Sequence, residues 1–226
     1  MPLGVCSNHN PIQHRDGKEP KSRINQSAVE PYNPPSNEWM QTFTGRAFFP
    51  LKLERNDINQ HDIAHSLSMQ CRYNGHTSRF YSVAEHSVLM SQWVPEEDAL
   101  WALLHDAPET YIGDMIRPLK RHMPEFRKID EQIMGAICEK FDLPYEMPES
   151  VMEADNRIIE NERMALLMNP PLPWTIHGDP LPDVDIQCWT PAIAEFKYYA
   201  RLQELLQDRE VREAKKLFDM TQERND

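Results

Sequence analysis

Apolar and polar positions change period several times along this chain, and each change marks an element. Between Trp39 and Leu51, "WMQTFTGRAFFPL" alternates about Thr44-Gly45, the pattern of a short β-hairpin whose turn uses the glycine. From Asn59 to Cys71 the apolar positions Ile63, Ala64, Leu67 and Cys71 recur at helical spacing. Four further helical stretches follow, set apart by proline or glycine: about Ser82–Trp93, Glu96–Thr110, Pro124–Phe141 and Pro148–Met168. In the third, Phe126, Ile129, Ile133, Met134, Ile137, Cys138 and Phe141 form one stripe, which predicts a core-facing helix. A proline-rich loop at 169–191 interrupts the pattern before a last amphipathic helix, Pro191 to about Phe218. No internal repeat is visible, so the expected fold is all-α, a helical bundle with a small N-terminal β-hairpin.

Composition adds an arm and removes several classes. Residues 1–38 hold six of the nineteen prolines and no aliphatic period, so they read as a flexible arm that cannot bury enough surface to offset chain entropy. Residues 39–226 of this 226-residue chain then form one domain. No apolar run approaches the roughly 20 residues of a membrane span, and the N-terminus lacks a basic start followed by an apolar stretch. The expectation is a cytoplasmic protein with no membrane partner. Four cysteines, Cys6, Cys71, Cys138 and Cys188, never form a C-x-x-C pair, which predicts reduced thiols rather than a zinc ribbon or disulfide framework. A net charge of −12 argues against stable nucleic-acid binding. Any phosphate must be handled by a local patch of cations.

The stretch "WALLHDAPETYIGD" puts four titratable groups at the end of the greasiest run. His86 shares a helical face with Val83 and Met90, His105 and Asp106 close the next apolar run, and Asp155 lies in line with Val151, Ile158, Ile159 and Glu162. A buried imidazole or carboxylate needs a partner or a metal, because desolvating it alone is costly. Two histidines and two aspartates facing one interior form a nitrogen and oxygen ligand set for a borderline divalent ion such as cobalt, manganese, nickel or zinc. On a continuous helix Glu109 would share the face of His105, with Asp114 following where the helix ends. A carboxylate beside an ion that lowers the pKa of water toward about 7 is placed for proton transfer.

A lone core histidine is more often a hydrogen-bonded structural residue than a ligand, and "HD" occurs twice. At His61-Asp62 it follows a polar run, so His61 reads as an exposed first-turn residue, and His65 is disfavoured as a ligand. Trp174, Trp189, Tyr198 and Tyr199 read as packing residues, and His177 to Asp179 as a surface loop.

The order His86, then His105-Asp106, then Asp155 resembles the HD-domain phosphohydrolase superfamily. More narrowly, "CRYNGHTSRFYSVAEHS", "LLHDAPETYIGD" and "RPLK" look like the bacterial 5'-deoxynucleotidases and the phage dATP and dNTP triphosphohydrolases. The resemblance covers about Trp39 to Leu167. It implies an HD-domain helical bundle, with metal ligands at His86, His105, Asp106 and Asp155. It implies catalytic carboxylates at Glu109 and Asp114, and substrate contacts from Arg72, Tyr73 and Lys120. Tyr73 stands where the bacterial enzymes have tryptophan beside the deoxyribose. Arg117 and Arg121 read as a solvated basic turn more readily than Lys120 does. Only His122 lies between the HD pair and Asp155 as a further histidine, which favours one metal ion, with Mg accompanying a triphosphate substrate as a second option.

The expected function is metal-dependent hydrolysis of deoxynucleotide 5'-phosphates by attack of water on phosphorus. Release of one phosphate from a dNMP and of triphosphate from a dNTP both fit the motifs. An HD-type phosphodiesterase acting on cyclic nucleotides or oligonucleotides, and an inactive nucleotide-binding protein, are the competing readings. Relatives of this kind form dimers or larger assemblies, so a homo-oligomer is expected.

Overall fold

A computed structural model of the chain describes residues 38–53, 57–174 and 178–223. The arm expected at residues 1–38 lies, apart from its last residue, outside them. A two-residue strand β1 (Met40–Gln41) pairs antiparallel with β2 (Ala47–Phe48), Met40 opposite Phe48, and Gly45 takes the positive φ of the turn between them. The hairpin is tied to the first helix by Asp62, whose carboxylate accepts the Thr44 N–H at 2.7 Å and the Thr44 hydroxyl at 3.0 Å.

Helices account for most of the rest: α1 (Gln60–Met69), α2 (Val83–Trp93), α3 (Ala99–Leu104), α4 (Glu109–Ile112), α5 (Arg117–Lys120), α6 (Pro124–Phe141), α7 (Glu149–Leu166) and α8 (Pro191–Glu223). Asn59 caps α1 by accepting from His61 N and Asp62 N, and the Ser82 hydroxyl caps α2 by accepting from Glu85 N. α6 stops at Asp142, which adopts the left-handed conformation. The all-helical expectation with one small hairpin describes this architecture. Among the described residues no helix is long and apolar enough to cross a membrane, and Cys71, Cys138 and Cys188 are free.

The bundle is built around α2, which packs against α1, α3, α7 and α8. Every residue from Val83 to Ser91 is buried, polar ones included, so α2 meets solvent only in its last two residues. A helix buried all round lacks an amphipathic stripe, and whatever His86 does it does in the interior. Leu67 of α1, Ile133 and Ile137 of α6, Ile158 of α7 and Tyr198 and Leu202 of α8 complete the core. The Tyr198 hydroxyl donates to the Leu103 carbonyl at 2.8 Å, confirming a packing role for that ring.

Several expected helices change, and the short α5 forms where none was expected. α8 runs five residues past Phe218, to Glu223. The single helix expected over Glu96–Thr110 is two helices, α3 and α4, joined by a tight turn. Pro108 is the physical cause. It has no N–H, and its ring would meet the Leu104 carbonyl four residues back. The turn instead closes through three-residue steps, Ala107 N to Leu104 O at 2.9 Å and Glu109 N to Asp106 O at 3.0 Å.

Among its described residues the proline-rich loop is held to the bundle by Arg157 and Asn161 of α7 and by Glu85 of α2, while His177 of the expected surface loop lies outside the described residues. Arg157 donates to the Asp179 and Pro180 carbonyls at 2.9 and 3.4 Å. Asn161 of α7 makes a two-way amide pair with the Leu181 backbone, at 2.8 and 2.9 Å. Glu85 of α2, fully buried, accepts the backbone N–H groups of Gln187, Cys188 and Trp189 at 2.7 to 2.9 Å.

Candidate metal centre

His86 reaches the centre from α2, and His105 and Asp106 reach it from the turn that ends α3. The three ligand atoms lie within 4.8 Å of one another. His86 Nε2 is 3.3 Å from His105 Nε2 and 3.6 Å from an Asp106 oxygen, which in turn is 3.1 Å from His105 Nε2. The far nitrogen of each ring is already engaged. His105 Nδ1 donates to the Ala102 carbonyl at 2.7 Å, and His86 Nδ1 pairs with the Glu162 carboxylate at 2.7 Å. With the protons on Nδ1, both Nε2 lone pairs face each other and a carboxylate oxygen. Three acceptors converging on one point repel unless a proton or a metal ion sits among them, and the donor set fits a borderline divalent ion. Any such ion would be held by His86, His105 and Asp106.

Asp155 stands at the edge of this trio rather than inside it. One oxygen lies 3.7 Å from His86 Nε2, while the other forms an ion pair with Arg117. The Arg117 side chain is exposed, as expected, but it is also paired. It spans from α5 to Asp155 and Asn156 of α7.

Arg72 is placed by a closed loop. Residues 71 and 82 form an isolated antiparallel bridge, and Arg72 N donates to Tyr81 O at 2.9 Å. Between them Tyr73, Asn74 and Gly75 all take positive φ, of 56°, 50° and 76°, which is unusual for tyrosine and costs about 1–3 kcal/mol. The loop returns Arg72 to the start of α2, with its guanidinium 3.3 Å from Asp106 and 3.3 Å from Glu162. The Tyr73 hydroxyl donates to Glu162, and its ring tilts against Trp174 with centroids 6.3 Å apart.

Glu109 does not sit on the His105 face of a regular helix. Four residues advance about 40° around an α-helix but about 120° around the tighter turn present here. Its carboxyl group is nonetheless buried, and Oε2 has no hydrogen-bond partner. Asp114 accompanies it, half-buried, its N–H donating to Gln70 at 3.2 Å. Lys120 reaches Asp130 at 3.0 Å and lies over the Phe126 ring. His61 is exposed and stacks on Tyr199, and His65 stacks on Phe43 and meets Glu195 at 3.1 Å, so neither belongs to the cluster.

Charge in this interior is arranged in opposition. Burial, helped by Arg72, holds His86 below the usual imidazole range. Burial also disfavours charge on His105, but Asp106 outweighs it and the ring is raised. Burial works against ionised Asp106 as well, yet His105, His86 and Arg72 drive its pKa down. Glu162 follows the same pattern, desolvated but held at about 2 by Arg72 and His86. Glu109 goes the other way: burial, then the negative charges of Asp106 and Asp114, push it well above the carboxylate range. Asp114 is raised too, by burial foremost. A buried acid that stays ionised beside one that favours its proton is an arrangement suited to acid and base work.

Glu162 is the site residue to which sequence reasoning gave no role, and the Asp155 partner of Arg117 was likewise not foreseen. Glu162 carried a signal, a carboxylate in line with the apolar Val151, Ile158 stripe of α7. Its partners lie 76 to 90 residues away in the chain, which no local pattern reveals.

Comparison with known proteins places the chain among relatives. It is 46% identical over 128 residues to the Escherichia coli uncharacterized protein YfdR, spanning 57% of this chain and 72% of that protein. It is 36% identical over 126 residues to the Rhodobacter capsulatus uncharacterized protein RCAP_rcc00048, spanning 51% of this chain and 64% of that protein. No protein-family profile matches the chain.

Proposed function

The chain belongs to the same family as the uncharacterized protein YfdR, and for this member we propose a metal-dependent phosphohydrolase acting on deoxynucleotide 5'-phosphates. The observation that carries the reading is the meeting of His86 Nε2, His105 Nε2 and an Asp106 oxygen within 4.8 Å, with both outer ring nitrogens already occupied. A divalent ion held there supplies Lewis acidity and lowers the pKa of water toward about 7. The protein's own groups supply the rest. Arg72 and Arg117 pair with Asp106 and Asp155 beside the cluster, and Lys120, paired with Asp130, is close enough to favour charge on Glu109 and Asp114, so these are the cations available to a phosphate in a chain of net charge −12. Glu109, buried and unpaired at Oε2, is the group available to move a proton. The deoxynucleotide class rests on the resemblance of the motifs around Arg72, His105 and Lys120.

The test is a phosphate-release screen of the manganese- or cobalt-loaded chain against dNMPs, dNTPs and cyclic and linear diesters, with product identification. Orthophosphate from dNMPs, or triphosphate from dNTPs, is the expected outcome. Cleavage of diesters alone would move the assignment to a phosphodiesterase, and binding without turnover would make the chain an inactive nucleotide binder.

A further inference from the structure

Glu162 is a fully buried carboxylate on α7 that none of the proposed chemistry uses. Burying an ionised acid is costly, and it persists only where its oxygens are satisfied. Here both are. Oε1 meets His86 Nδ1 at 2.7 Å, with Arg72 Nε at an ion-pair distance of 3.3 Å but not hydrogen-bonded, while Oε2 accepts from the Tyr73 hydroxyl and from Arg72 Nη2 at 3.3 Å. Arg72 also reaches Asp106 at 3.3 Å, and that same Asp106 oxygen is 3.6 Å from His86 Nε2. Glu162, Arg72, Asp106 and His86 therefore close a ring with the cluster on one side.

We propose that Glu162 is a positioning residue: it keeps the His86 proton on Nδ1, so that the Nε2 lone pair faces the metal centre, and it anchors Arg72 and Tyr73 at the same time. One acid then sets both the affinity for the cation and the placement of the arginine at its rim. The inference rests on His86 serving as a ligand.

The tautomer is the core of the argument. An imidazole with its proton on Nε2 presents N–H, not a lone pair, to the cluster and cannot bind an ion there. A carboxylate on Nδ1 removes that alternative, because a proton on Nε2 would leave two acceptors, Nδ1 and Oε1, facing each other at 2.7 Å. Such outer partners fix ligand orientation and strengthen donor basicity, and their loss costs about 10- to 100-fold in metal affinity. Glutamine preserves the shape of Glu162 but brings an amide N–H₂ against one of three donors, His86, Tyr73 or Arg72. It also removes the charge that holds the guanidinium.

Two measurements on the full chain test this. In metal-free protein at about pH 8, where an imidazole is neutral, nitrogen NMR of the wild type is expected to show His86 protonated at Nδ1. Titration with cobalt, followed by its visible absorption, is expected to show Glu162→Gln binding about 10- to 100-fold more weakly than wild type, with circular dichroism confirming the fold. A wild-type His86 carrying its proton on Nε2 overturns the inference even if the variant cannot be folded. So does a folded Glu162→Gln protein with wild-type cobalt affinity. A wild-type chain that binds no cobalt overturns the metal-centre reading itself, and the role of Glu162 with it.

Discussion

Arg117 of α5 pairs with one oxygen of Asp155 while the other oxygen of Asp155 lies 3.7 Å from His86 Nε2. A cation and a ligand cluster thus compete for the same carboxylate. Removing the guanidinium frees Asp155 and takes a positive charge from the neighbourhood of the ion. At an effective dielectric of about 20 to 40 this favours a dication by roughly 1 kcal/mol or more. Arg117→Ala is expected to raise manganese affinity about threefold to tenfold, read by calorimetric titration, and to weaken inorganic phosphate binding to the loaded protein. Because the Arg117 side chain is 47% exposed, stability should change by less than about 1 kcal/mol.

Glu109 should separate activity from stability. Its carboxyl is buried with Oε2 unpartnered, and burial together with Asp106 and Asp114 disfavours its charge. Glu109→Gln removes the transferable carboxyl proton at nearly constant shape. Hydrolysis is expected to fall about 10²- to 10⁴-fold, while metal content is kept and Tm is unchanged or higher. Retained activity in a folded, metal-loaded variant would remove Glu109 from the mechanism.

Acid should unfold the metal-free protein partly through Glu162. Its folded pKa, about 2, lies below the ordinary 4.5. The unfolded chain therefore takes up a proton first as pH falls, so the stabilisation is complete above about pH 4.5 and is lost between there and about pH 2. The contribution is about 3 kcal/mol at neutral pH. Urea unfolding across this range should show wild type and Glu162→Gln converging as pH drops. A constant gap between them would contradict the assignment.

Glu85 should be a stability residue rather than a functional one. Its carboxylate accepts three consecutive backbone N–H groups, from Gln187, Cys188 and Trp189. Glu85→Ala leaves those donors without their acceptor, at about 1–3 kcal/mol for each one that stays buried. The variant is expected to lose at least about 3 kcal/mol in denaturant unfolding and to gain early proteolytic cleavage within 169–190.

The helices were legible where local pattern decides them. The Phe126 to Phe141 stripe predicts α6, and α6 forms over the same residues, Pro124–Phe141, because one face meets the core and the other meets water. Pro108 was also in view, but apolar periodicity alone carries the helix through it, whereas the missing N–H breaks α3 from α4. His86, His105 and Asp106 could be read as neighbours because each ends or interrupts an apolar run. What could not be read is pairing across the chain. Arg117 with Asp155, Tyr73 with Glu162, and Glu85 with residues 187–189 depend on how helices dock, and no spacing in the sequence encodes that.

A cation held jointly by His86, His105 and Asp106 underlies the chemistry proposed for this protein, and metal stoichiometry decides whether it is there. Elemental analysis and cobalt titration of the purified chain should give one tightly held divalent ion per chain, lost in His105→Ala and in Asp106→Ala while the helical signal persists. A wild-type chain that holds no divalent ion, or variants that bind it as tightly as wild type, would rule this cation site out.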